Sequence, residues 1–285
     1  MTNSINEIDD AELFLVTGSN TTEQHPLIGT RVINAVERGA KLILIDPRRI
    51  PLATYAHVHL RHNIGTDVAV LNGLMNIIIE EGLYDKEYVE TRTEGFEGLK
   101  KTVSRYTPRV VEQISGIDAR DLALAAREYA KTGKSMILYA MGITQHPTGT
   151  DTVKNCANLA MITGHEGKPS TGVNPLRGQN NVQGACDMGG LPVVYTAYQK
   201  VGDAPVKSRF EEAWGVGGLD EAPGLTITTM MEAADRGDLK ALYVMGENPL
   251  LSDPDVKHIE RALSCLLYTS PSPRDRTRSR MPSSA

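Results

Sequence analysis

The sequence holds only three cysteines, Cys156, Cys186 and Cys265, and they stand far apart. No CxxC and no zinc or iron–sulfur spacing is present, so each reads as an isolated buried thiol. Long apolar runs are equally scarce. The longest, such as residues 42–45 and 77–79, are far too short to cross a bilayer, which excludes direct membrane insertion. The chain does not open with the charged, apolar and small-residue succession of a secretory signal. Its net charge of −5 supplies no basic surface for nucleic acid or an anionic membrane. The dinucleotide fingerprint GxGxxG is also missing, which makes an ordinary NAD-binding enzyme a poor fit.

What is present is ordinary globular material. The chain has 285 residues, 40% of them apolar and 23% charged, enough for one large or two ordinary domains. The apolar run 13–17 ends at Gly18 and reads as a strand. A helix is expected from Pro26, a good first-turn residue, to Gly39, and a second strand over 41–46. This is a βαβ unit, which implies a parallel sheet with right-handed crossovers. A short strand is expected at 57–60 and a helix at 67–80. Asp118 and Asp121 resemble a helix start, followed by Leu122, Ala125, Ala126 and Tyr129 on one face. Another strand is expected at 135–141 and another helix at 153–162. The fold class is therefore α/β, a Rossmann-like three-layer αβα arrangement with a parallel sheet.

Residues 164–190 lack period and are rich in Gly, Asn, Gln and Pro, a long loop of the kind that carries function. Beyond it a helix at 226–235 and a strand at 241–245, followed directly by Gly246-Glu247-Asn248-Pro249, suggest part of a second α/β domain. The expected division is 1–179, 180–265 and a tail at 266–285. That tail has turn-formers, four Arg and one Asp, and no core residues. It reads as a basic arm for an acidic partner, as disorder, or as translated adapter or vector sequence. Its abrupt onset inside a helical pattern favours the last, so it is left out of the fold argument.

The strand ends carry the chemistry, because ligands of open α/β sheets bind at the carboxyl edge. After the first strand, Gly18 permits close backbone approach, and the helix start that follows offers free N–H groups to a phosphate. Asn20 and Glu23 can address ligand donors. After the second strand comes Asp46-Pro47-Arg48-Arg49, in which an acid can accept from a ribose or guanine N–H and an arginine can hold phosphate. Either loop alone is as easily a structural turn.

Taken in order, GSNTTEQHP, IDPRR, GTDVAVLNG, MGITQHPTGTDTVKNCANLAMITG, GVNPLRGQNNVQGACDMGG and MGENP resemble the molybdopterin oxidoreductase family, and within it formate dehydrogenase alpha subunits. The resemblance spans residues 5–264, and RGQNNVQGACDMG is its most specific piece. It implies molybdenum, or tungsten, held by bis(molybdopterin guanine dinucleotide) between two α/β domains. Gly18, Asn20 and Glu23 would touch one guanine dinucleotide, with Asp46 and Arg48 at its nucleoside end. Gly65 and Asp67 would help close that pocket. Met141, Gly142 and Gln145 would line the pterin side, with Gln179 and Asn180 in a loop that can reach it. Gly246, Glu247 and Asn248 would serve the second dinucleotide. No residue is assigned as a metal ligand.

Arg177 is the expected catalytic residue, since a guanidinium can pair with both oxygens of formate and stays charged at any working pH. A lone arginine would otherwise be expected in a surface salt bridge. His146 and His165 read as loop or packing histidines and receive no role. The family places its 4Fe-4S cysteines and its metal-ligating Cys or selenocysteine before this stretch, and a cofactor-closing domain after it. The chain is therefore expected to be an internal fragment, inactive by itself, with the Arg177 loop half-exposed and mobile. The expected partners are formate or carbon dioxide and the electron-transfer subunits of the parent complex. The expected location is cytoplasmic, with a periplasmic parent left open. A nitrate reductase of the same family is the nearest alternative, although the loop matching 175–179 tends to lack the arginine there. A metal-free scaffold like the electron-relay subunit of NADH dehydrogenase is the other.

Overall fold

Four short apolar runs and one unlikely tetrapeptide build the central sheet. The computed structural model describes residues 1–179, 181–253 and 255–267, and the chain divides into two units between Asn180 and Asn181. In the first unit, β1 (Leu13–Thr17), β2 (Lys41–Ile45), β3 (Val58–Leu60), β4 (Ser135–Tyr139) and β5 (Gly172–Pro175) form one sheet in the order β3-β2-β1-β4-β5. Every pairing is parallel; Leu13 stands opposite Lys41 on one side and Ser135 on the other. Strands of such a sheet are covered on both faces and read as unbroken apolar runs, as β1 and β4 do.

Alternate residues of β1, β2 and β4 feed two cores. Leu13, Leu15, Ile43, Ile45 and Ile137 pack on one face with Val70, Leu74, Leu122, Ala125 and Leu159. Those partners belong to α2 (Asp67–Glu80), α3 (Ala119–Lys131) and α4 (Gly149–Ile162). Phe14, Val16, Leu42, Leu44, Met136 and Leu138 pack on the other face with Val32 and Ala35 of α1 (Pro26–Glu37). The expected three-layer αβα arrangement is thus present. Helix α2 is buried almost all round, as a helix apolar on every side must be. Gly73 makes that possible, because a Cβ there would lie 2.7 Å from Val111 Cγ2 and 3.0 Å from Leu122 Cδ2.

Helix α3 begins where Asp118 accepts a hydrogen bond from the Arg120 backbone N–H at 2.8 Å. Strand β4 stops at Tyr139, short of the expected 141, because Met141–Thr144 already turns as a short helix. The stretch 164–190 is less irregular than its composition implies: it contains β5 and a helix at Val182–Asp187. Gly-Val-Asn-Pro has little strand propensity. It is held at the sheet edge by β4 on one side and by Thr2 on the other, whose Oγ1 accepts from Val173 N–H at 2.9 Å. An edge is where a proline is tolerated.

His165 is a buried packing residue. Its Nε2–H donates to the Thr132 carbonyl at 2.9 Å, Nδ1 accepts from the Thr163 hydroxyl at 2.9 Å, and the ring meets Tyr129 edge-on. Burial lowers its pKa to about 4, against the pull of the Thr132 carbonyl. The unfolded chain then binds a proton that the folded chain refuses between about pH 6.5 and 4. Stability falls as pH drops through that window and this contribution levels off below it. The expected loss through His165 is roughly 3 kcal/mol. Urea titrations at pH 7 and pH 4 should show His165→Gln lacking that component; an identical pH slope in both proteins would refute it.

The second unit has a small core of Met231, Ala234, Ile259 and Ala262, and a hairpin of β6 (Val194–Tyr195) and β7 (Gln199–Lys200). Tyr195 stacks on Phe210 with ring centroids 4.7 Å apart. The strand expected at 241–245 is not formed, and Tyr243 and Met245 are 86% and 78% exposed. A strand needs a neighbour to take its N–H and C=O groups, and among the described residues none pairs with it. Of the three cysteines only Cys156 is buried, its thiol pushed up to about 12 by burial; Cys186 is half-buried and Cys265 exposed, contrary to expectation. Among the described residues no helix is long and apolar enough to cross a membrane. The tail from 268 onward lies outside the described residues.

Candidate functional site

The chain steps from β1 outward to β2 and β3, then returns to lay β4 against the other side of β1. The loops leaving β1 and β4 therefore diverge to opposite faces and open a crevice at their carboxyl ends, the usual ligand position in such sheets. Here the two loops touch at their first residues. Gly142 N–H donates to the Gly18 carbonyl at 2.9 Å. Gly18 adopts φ +57°, and a Cβ on it would lie 2.5 Å from Ile143 N. Neither loop tolerates a side chain at this crossing.

Around it lies a cleft of about 350 Å³, walled by residues that follow all five strands. Gly18, Asn20 and Glu23 come from the loop after β1, Asp46 and Arg48 from that after β2, and Gly65 and Asp67 from the turn after β3. Met141 and Gly142 follow β4. These nine expected residues are brought together. Gln145 caps the Met141–Thr144 helix and is exposed outside the cleft wall, as is Gln179. Asn180 lies outside the described residues. Arg177 is exposed, and the wall beside it is made by Leu176 and Gly178. Among the described residues no acid forms an ion pair with it, so the surface salt bridge that a lone arginine would make is not formed.

Gly246, Glu247 and Asn248 lie in the second unit and shape a local turn. Gly246 has φ +68°, Asn248 accepts from Leu250 N–H at 3.2 Å, and Glu247 accepts from the Ser252 hydroxyl at 2.9 Å.

Charge in the cleft is mixed. Asp46 is buried and its Oδ1 accepts from the Arg48 backbone N–H at 2.7 Å, an Asx turn that leaves the Arg48 side chain in solvent. Asp67 is buried beside His62, with Nε2 and Oδ1 3.0 Å apart. Burial acts to raise the Asp67 pKa, but the His62 hydrogen bond and charge outweigh it and the carboxyl sits below its ordinary range. The Nδ1 atoms of His25 and His62 are buried with no hydrogen-bond partner among the described residues.

His25, His62, His146, Ser19 and Ile64 also line the cleft and were not singled out as site residues. His62 had a usable signal, since it follows β3 directly and precedes the GTD turn. His25 stands immediately before the first-turn proline of α1. A loop histidine has no periodicity to mark it. Among the described residues no three His, Cys, Asp or Glu side chains gather as a metal site.

Residues 1–269 match the molybdopterin oxidoreductase family. The chain belongs to that family. Its molybdopterin relatives include the F420-dependent formate dehydrogenase 1 subunit alpha of Methanococcus maripaludis, 50% identical over 93% of this chain and 39% of the relative. Formate dehydrogenase H of Escherichia coli is 46% identical over 93% of this chain and 37% of its own length. The chain thus spans less than two-fifths of the relatives it matches. Acetylene hydratase from Pelobacter acetylenicus shares the fold, with a TM-score of 0.69 at 24% identity, over 91% of this chain and 38% of that one. Family membership implies a molybdopterin cofactor for the protein to which this stretch belongs.

Proposed function

We propose that this stretch belongs to the catalytic subunit of a formate dehydrogenase and cradles one guanine dinucleotide arm of bis(molybdopterin guanine dinucleotide). The supporting observation is an exposed Arg177 next to the cleft, with no ion-pair partner among the described residues, in a chain 50% and 46% identical to two formate dehydrogenases.

The cleft suits a nucleotide. Glu23, Asp46 and Asp67 offer acceptors for base and ribose donors, and two buried ring nitrogens in its wall lack partners. Gly65, with φ +82°, leaves open space where a Cβ would stand. In this reading Gly18, Asn20 and Glu23 receive the dinucleotide, while Asp46 and Arg48 address its nucleoside end and Gly65 and Asp67 close over it. Met141 and Gly142 face the pterin. Gly246, Glu247 and Asn248 serve the second arm.

Formate oxidation breaks one C–H bond and yields carbon dioxide, one proton and two electrons. When bound, a molybdenum or tungsten group would supply the acceptor for those electrons, and a 4Fe-4S centre of the parent subunit would supply their outlet. Arg177 has a different task. Its planar guanidinium pairs with both carboxylate oxygens, fixes the carbon between them and turns the C–H bond to one side. No proton transfer is assigned to it, because a guanidinium does not titrate in the working range.

The test is to isolate the intact subunit, measure its molybdenum and tungsten, and assay a viologen dye in both directions. About one metal per subunit with formate-dependent dye reduction is expected. Metal with nitrate-dependent dye oxidation instead would mean the nitrate reductase reading. A metal-free subunit would leave only the scaffold.

A further inference from the structure

We propose that His25 is a positioning residue whose ring holds the backbone presenting Arg177. The inference uses the formate reading for its purpose, but the contact itself is independent of that reading. His25 Nε2 lies 2.5 Å from the carbonyl oxygen of Arg177, 152 residues along the chain. A carbonyl only accepts, so Nε2 carries the proton and donates. In the neutral ring that leaves Nδ1 as a lone-pair acceptor, and Nδ1 is buried without a partner among the described residues.

The ring is carried on fixed backbone. His25 N–H donates to the Thr21 carbonyl at 3.0 Å, and its own carbonyl accepts from Gly29 N–H at 2.9 Å. It therefore sits at the junction of the short helix Thr21–Gln24 and α1, against which the Asn20 and Glu23 loop is built. On the other side, Leu176 is buried and donates to the Tyr139 carbonyl at 2.7 Å, which fixes the exit of β5. The next carbonyl is the one His25 takes. Gly178 then passes Met141, where a Cβ would stand 3.6 Å from the sulfur. The His25 bond thus joins the β1 loop to the Arg177 segment just past the last sheet contact. It determines where the exposed guanidinium stands without touching it.

Two measurements on this chain decide the contact. Ring ¹⁵N shifts should show a protonated Nε2 and a bare Nδ1 for His25; the reverse tautomer would overturn the proposal, and no variant is needed. The Arg177 carbonyl ¹³C resonance should move upfield in His25→Ala, because a carbonyl that loses its donor is less polarised. His25→Gln, whose amide N–H reaches the place of Nε2–H, should recover most of that shift. An unchanged Arg177 carbonyl shift in a folded His25→Ala, with β4 amides still protected, would overturn it as well.

In the intact subunit, His25→Ala should lower kcat/KM for formate about ten-fold per molybdenum bound, and His25→Gln should restore it. Equal values in all three would remove the positioning role. A subunit that oxidises no formate would instead sink the formate reading, while tautomer and carbonyl shift would still decide the clamp.

Discussion

Gly18→Ala should destabilise the first unit by roughly 2–5 kcal/mol, a large share of the stability of an ordinary domain. Two effects add. An L residue held in the left-handed region costs about 1–2 kcal/mol, and Gly18 has φ +57°. The new Cβ would also stand 2.5 Å from Ile143 N and 2.8 Å from the Gly142 carbonyl carbon. Those atoms are backbone and cannot rotate away, so the β4 loop must move, at a further cost of about 1–3 kcal/mol. Gly65→Ala isolates the first effect. Gly65 has φ +82° but a Cβ there meets nothing within 4 Å. It should lose only about 1–2 kcal/mol. Urea unfolding of the two variants separates crowding from conformation, and equal losses would show that the Gly18–Gly142 crossing is not tight. The Gly18 variant should also bind guanine nucleotides more weakly, since Met141 and Gly142 belong to the same wall.

Much of the first unit was readable before any coordinates. Residues 13–17 and 67–80 carry their own boundaries, an apolar run closed by glycine in one case and an apolar run with an aspartate in its first turn in the other. The cleft loops were readable for a related reason: Gly18, Asp46 and Asp67 sit where strands end or helices begin, and such positions follow from periodicity. Residues whose structure depends on a distant partner were not readable. Gly172–Pro175 is a strand only because β4 and Thr2 take its backbone groups. Residues 241–245 show the converse, with strand-like side chains and no strand to pair with. Nothing in the sequence marks His25; only the fold sets the Arg177 carbonyl beside its ring. Gln145 and Gln179 resemble the family pattern yet stand off the cleft, because where a loop side chain points depends on backbone torsions that spacing does not encode.

Arg177→Ala in the intact subunit should lower kcat/KM for formate by about 10³-fold, close to 4 kcal/mol of transition-state stabilisation. The magnitude follows from what is removed, a charge and two parallel donors that fit both oxygens of a carboxylate. Arg177→Lys restores the charge but only a point donor, so it should recover part of the loss and raise KM for formate. Folding stability should stay within about 0.5 kcal/mol in both variants, because the side chain is exposed. The main-chain bond from His25 to the Arg177 carbonyl survives either substitution, since it uses no side-chain atom of Arg177. Activity and stability must therefore part company at this position, whereas at Gly18 they fall together. A formate kcat/KM within two-fold of wild type in Arg177→Ala would take the carboxylate-binding role away from this residue. A matching loss of stability would show instead that the guanidinium was holding structure.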